Sequence, residues 1–296
     1  MLFRVFSGMF QVGRRPPLIR GCFLWSFLIL FFLDDMLIYP HKTTTMQSLS
    51  TAVSRGYVWH ISGVVRADRF LNLEAKFASL YSTEISPALR YERKKVGIAG
   101  ARFFAHPAHR SPHLFWWLLL TEGVHPAREC EQGLARVTDP KNRLLYASEF
   151  ELVQTPHEGS APRWTWRLQP QKVEAWHDEI RLAIRHRKDE RAVQRVIMRY
   201  YRLPGFRGVR EQIAGLRRFT VGEWIRAKRA RECPYLPKRM PPYVRFGGAP
   251  GVQAEIIVNR LLEGLPPFTD EMKFQTATKA QAPYIEAESE WGEVDA

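Results

Sequence analysis

The sequence predicts an α+β protein: a ferredoxin-like sheet domain (βαββαβ plus one extra strand), then a basic α-helical region ending in a helix-turn-helix outline. Three observations predict it. Residues 57–168 alternate β-rich stretches with helical periodicities in the order β-α-β-β-α-β-β, and the first six elements match the split βαβ arrangement. After Pro170 the apolar spacing changes from two to three and four. The charge excess falls almost entirely in that helical part.

Tyr57–Val65 alternates large apolar with smaller or polar residues and reads as a strand. Asp68 is placed to cap a helix in which Phe70, Leu73, Phe77, Leu80 and Tyr81 recur at helical steps. Val96–Phe104 is a second strand, weakened by Gly97 and Gly100, and Leu114–Thr121 is a continuous apolar run of strand length, suited to a central position. Pro126 can open a short helix to about Leu134. Leu144–Gln154 and Arg163–Leu168 complete the strands. Beyond Pro170, Val173, Trp176, Ile180 and Ile184 form one apolar helical face. Two further helices are expected at about Gly208–Arg218 and Val221–Arg231, the second opened by a capping-box pattern of Thr220 and Glu223. Four prolines in Pro234–Phe246 require an extended segment, read either as an arm along a nucleic-acid strand or as a packed strap. A helix at about Val252–Leu262 and an acidic tail, Glu286–Asp295, end the chain.

Four regions follow: an apolar N-terminal segment 1–45, a sheet domain 46–170, a basic helical region 171–246, and a C-terminal helix with its tail, 247–296. In the first, Arg4, Arg14, Arg15 and Arg20 precede the apolar run Cys22–Leu33, which Asp34 and Asp35 end. At 12 residues the run is shorter than a bilayer span. Three readings stand: a membrane anchor through residues 18–39, a degenerate signal peptide, or a gene start misplaced ahead of Met46.

The chain of 296 residues carries 44 Lys+Arg against 30 Asp+Glu, a net charge of +14. Residues 181–245 alone hold 19 basic and 5 acidic residues, again +14. Such a concentration points to a polyanionic partner. Arg187, Arg191, Arg195 and Arg199 recur every four residues, which on a helix makes one row. Arg191, Arg195 and Arg199 have no acid three or four residues away. Arg217, Arg218, Arg226, Lys228, Arg229, Arg231, Lys238 and Arg239 extend the expected nucleic-acid-binding set. Arginine's planar fork suits phosphate.

Other chemistry is thinly supported. Cys22, Cys130 and Cys233 never stand in CxxC spacing. His106, His109, His113 and His125 cluster in a proline-broken stretch, so no metal site is expected from them. Glu149 and Glu151, at spacing two, offer a weak divalent-metal alternative. The tandem Tyr200-Tyr201 offers a weak nucleophile for DNA nicking, without the paired-histidine strand such enzymes use. Tyr57, Trp59, Phe115 and Trp117 would occupy the central strands on which RNA-recognition modules stack bases. The run LFWWLLLT, however, lacks the Lys/Arg-Gly-aromatic pattern and reads as core. No glycine-rich phosphate loop occurs, and no cofactor is expected. The expectation is a cytoplasmic nucleic-acid-binding protein, DNA before RNA, acting in replication, transfer or regulation. The alternatives are a membrane-anchored protein and a metal-dependent or tyrosine-type nuclease.

Overall fold

The computed structural model describes residues 36–157, 159–186, 190–228, 233–244 and 250–273. It is a mixed α+β chain with three antiparallel sheets. The first sheet has four strands: β2 (Tyr57–Arg66), β3 (Ala101–Pro107), β4 (His113–Thr121) and β5 (Ala135–Arg136), in the order β3-β4-β2-β5. The long apolar run is central, as expected. Its register against β2 runs from Tyr57↔Thr121 to Arg66↔His113, broken once beside Trp59.

Cross-strand pairs share a face, so the register assigns the side chains. Trp59, Ile61, Trp116, Leu118 and Leu120 lie toward α2 (Ala67–Tyr81), against Phe77 and Tyr81. Leu114 and Val65 meet Phe70 of α2 and Ile257 and Val258 of α8 (Ala254–Leu262). The opposite face, with Phe104, Trp117 and Leu119, packs on α1 (Lys42–Ser54) and on a second sheet. That sheet is β6 (Leu145–Tyr146), β7 (Phe150–His157) and β8 (Ser160–Leu168).

Several expected elements are redrawn. Residues 144–154 are not one strand of the first sheet. Ala147 and Ser148 take left-handed backbone, φ 50° and 51°, and fold β6 back onto β7 with Tyr146 opposite Phe150. The two-residue β5 takes the outer place beside β2. Strand β3 begins at Ala101, not Val96, because a short helix α3 (Pro87–Lys95), capped by the Ser86 side chain, occupies the approach.

The helical part starts with α5 (Pro170–Arg181), continues through a π-helical turn, Leu182–His186, and resumes as α6 (Glu190–Tyr201). The expected helix-turn-helix pair is instead one continuous helix, α7 (Arg207–Lys228). Thr220 does not cap a helix. It is fully buried and its hydroxyl donates back to the Leu216 carbonyl at 2.8 Å, a mid-helix bond. Glu223, the presumed box partner, is buried and pairs with Arg185 (2.5 Å) and Arg226.

The Pro-rich segment is a packed strap. Leu236 and Met240 lie on the core, the Pro237 carbonyl accepts from Arg217, and Tyr235 donates to Glu190. Gly205 is obligatory beneath it: a Cβ there would stand 1.8 Å from the Pro242 carbonyl oxygen.

The expected boundaries cut through packed structure. The one at 45/46 falls inside α1, and Ile38 of β1 (Leu37–Ile38) is buried ahead of it. The one at 170/171 divides a single core holding Met46, Trp166, Ile197 and Leu216. The C-terminal helix α8 returns to α2, while β9 (Val252–Gln253) pairs with β1. The apolar run Cys22–Leu33 and the acidic tail lie outside the described residues. Among those described, no helix is long and apolar enough to cross a membrane.

Candidate nucleic-acid interface

Helix α6 is strongly two-sided because its sequence is. Ala192, Val193, Ile197, Tyr200 and Tyr201 are buried and fix it to the core. The opposite side carries two rows at four-residue spacing, Arg191-Arg195-Arg199 and Gln194-Met198-Arg202. Together they line an open groove of ≈ 490 Å³. With a rise of about 1.5 Å per residue, the guanidinium-bearing positions extend over roughly 16 Å of helix axis. The arginine row read from the sequence is therefore assembled. Arg187 of that row lies outside the described residues.

The row is not electrically bare. Arg199 Nη1 contacts both carboxylate oxygens of Glu179 on α5, at 2.9 and 3.1 Å, and its guanidinium lies 5.0 Å above the Trp176 ring. Sequence reasoning missed this acid because it stands 20 residues away on another helix. Arg202, which the reading omitted, completes the groove. It makes no ion pair among the described residues.

The remaining expected contacts scatter. Arg217 points inward, donating to the Tyr201 hydroxyl and the Pro237 carbonyl at 3.4 and 3.2 Å. Arg226 is committed to Glu223. Burial alone would push the Glu223 carboxyl up, but hydrogen bonds from Arg185 and Arg226 more than reverse this and hold it below the ordinary carboxylate range. Arg218 on α7 and Lys238 and Arg239 on the strap are exposed. Lys228 ends α7, and Arg229 and Arg231 lie outside the described residues.

The weak catalytic candidates are engaged within the fold. Tyr200 is fully buried with its Oη 3.3 Å from Thr220 Oγ1, and burial raises its phenol above the ordinary value. Tyr201 is nearly buried and likewise raised, burial outweighing the nearby Arg217. Glu151 is buried and bound to Arg167 at 2.7 Å, with Arg143 at 3.7 Å, while Glu149 sits in the turn before β7. The two acids thus do not form a pair on one strand.

Three of the four histidines are separately engaged: His106 with Thr45, His113 with Ser111, and His125 with the Tyr81 carbonyl and the Ala127 amide. Among the described residues no group of three or more His, Cys, Asp or Glu is placed to hold a metal ion. Trp117 is buried, stacked on Tyr146 and donating to the Leu145 carbonyl at 2.8 Å; it is core. Phe115 packs beside it, and Tyr57 also lies against this core. Trp59 is flanked by the guanidiniums of Arg128 and Arg136 at 4.7 and 4.9 Å, which occupy its ring.

The chain matches no protein-family model, no curated protein and no solved structure.

Proposed function

We propose that this chain binds nucleic acid through phosphate contacts made by α6. The observation that carries the reading is the groove lined by Arg191, Arg195, Arg199 and Arg202 on the side of the helix away from the core. Phosphate contacts position a protein without reading sequence. With α7 continuous, the hairpin outline that pointed to DNA is gone, so duplex DNA and RNA belong side by side in the test. A cytoplasmic location belongs to the same proposal. The four-stranded sheet supports a split βαβ, ferredoxin-like reading. Its order β3-β4-β2-β5 is that of the motif, with α2 and α3 joining β2 to β3 and α4 (Ala127–Cys130) joining β4 to β5.

The test is the salt dependence of binding. Each arginine that meets a phosphate of duplex DNA contributes roughly 0.9 to the slope of log affinity against log salt. Arg191→Gln with Arg195→Gln should lower that slope by about 1.8. An unchanged slope, with the fold intact by circular dichroism, overturns the reading.

A further inference from the structure

A second surface, built from α3 and the two turns beside it, is left apolar at its tip and cationic around it. Helix α3 has no buried residue, although it is nine residues long. It exposes Leu89 and Tyr91, and just beyond its end Val96 is 72% exposed. The turn after β4 brings Val124, 78% exposed, to the same place. The two turns are tied through the backbone: Val124 N–H donates to the Gly97 carbonyl, Ala99 N–H donates to the Val124 carbonyl, and Ile98 bridges Val124. Gly97 and Gly123 both take positive φ, 77° and 125°, and a Cβ on Gly123 would lie 2.5 Å from the Gly97 oxygen. The apolar tip is therefore held firmly by closely apposed backbone.

The collar is basic. Arg93, Lys94 and Lys95 stand on α3 against one acid, Glu92, which Lys95 already contacts at 2.9 Å, while Arg90 turns in to donate to the Thr83 carbonyl at 3.0 Å. Arg93 and Lys94 form no ion pair among the described residues. Exposed aliphatic side chains ringed by cations gain nothing from a phosphodiester chain, whose charge is all at its surface. An anionic bilayer rewards both parts: lipid headgroups meet the cations, and the acyl boundary takes the valines.

We infer that the tip formed by Val96, Ile98 and Val124, with Arg93 and Lys94, docks on an anionic phospholipid membrane. The surface is distinct from the α6 groove, and the inference does not depend on the nucleic-acid reading.

The full-length chain, with Cys22 and Cys130 replaced by Ser and Val124→Cys carrying an environment-sensitive fluorophore, tests it. Phosphatidylcholine vesicles with and without phosphatidylserine are the probes. On phosphatidylserine vesicles the label should blue-shift and be quenched by lipid-borne nitroxides; on neutral vesicles it should do neither. Arg93→Glu with Lys94→Glu should weaken the response at least tenfold, each charge being worth roughly fivefold before reversal. Val96→Asp should weaken it as well, and its exposed position leaves the fold unaffected. A label that stays in water while the chain co-floats with anionic vesicles overturns the inference. A label shifted by oligonucleotide and not by lipid does the same.

Discussion

Arg199 shows how a single neighbour tunes a candidate phosphate contact. Its guanidinium lies between the Glu179 carboxylate and the Trp176 ring, and both partners of the ion pair are well exposed. An exposed pair is worth about 0.2–1 kcal/mol. A phosphate can therefore displace Glu179, but the carboxylate competes with it. Glu179→Gln should accordingly tighten polyanion binding at low salt, by roughly twofold to fivefold, and steepen the salt slope. Fluorescence anisotropy across a salt series reads both, and weakened binding would mean that Glu179 positions Arg199 instead of masking it. The spacing of the arginines was legible in the sequence because a helical row is a local property of the chain. The partner of Arg199 was not, because Glu179 arrives from another helix, 20 residues away. Helical spacing puts Tyr200 on the inward face of α6, but nothing local records that its hydroxyl ends beside Thr220.

At the level of elements, α7 is held to the second sheet by a side chain acting as a strand. The Gln212 amide accepts from the Leu168 N–H at 2.7 Å and donates to the Leu168 carbonyl at 2.9 Å, closing the ladder where β8 ends. Gly208 N–H adds a bond to Thr165 Oγ1 at 3.1 Å. Gln212→Leu leaves both main-chain groups of Leu168 without partners in a part-buried place, at a cost of about 2 kcal/mol. Urea denaturation should show a lower midpoint with an unchanged slope; an unchanged midpoint would mean that water replaces the amide freely. Elements with strong periodicity were legible: β2, β4, α2, α5 and α8 lie where the pattern puts them. Helix α1 was missed because Met46, Leu49, Ala52 and Val53 are spaced among threonines and serines that carry little helical signal. The β6–β7 turn was missed because left-handed backbone fell on Ala147 and Ser148, residues that do not announce it.

Across the whole molecule, burial removes histidines from water, and that sets a pH dependence. His41, His60, His106 and His125 are all held below the ordinary imidazole value of 6.5, chiefly by burial. His106 is pushed down to about 4, with Lys42 and His41 adding to the effect. It lies where α1, the first sheet and the second sheet converge, beside Thr45, Tyr146 and Phe268. Between pH 6.5 and about 4 the unfolded chain binds a proton at this residue that the native chain refuses. Stability therefore falls as pH falls through that window, by up to about 1.4 kcal/mol per pH unit from His106 alone. The Glu223 carboxylate acts only lower down: held below its ordinary value of 4.5, it stabilises above that pH and loses its contribution as acid protonates the native state. The two effects separate on the pH axis. His106→Gln, measured by urea denaturation from pH 7 to pH 4, should flatten the upper part of the fall and leave the loss below about 4.5 in place. A variant that loses stability as steeply as the parent above pH 5 would show that the native fold accepts the proton on His106, and with it that the meeting point of the three layers admits water.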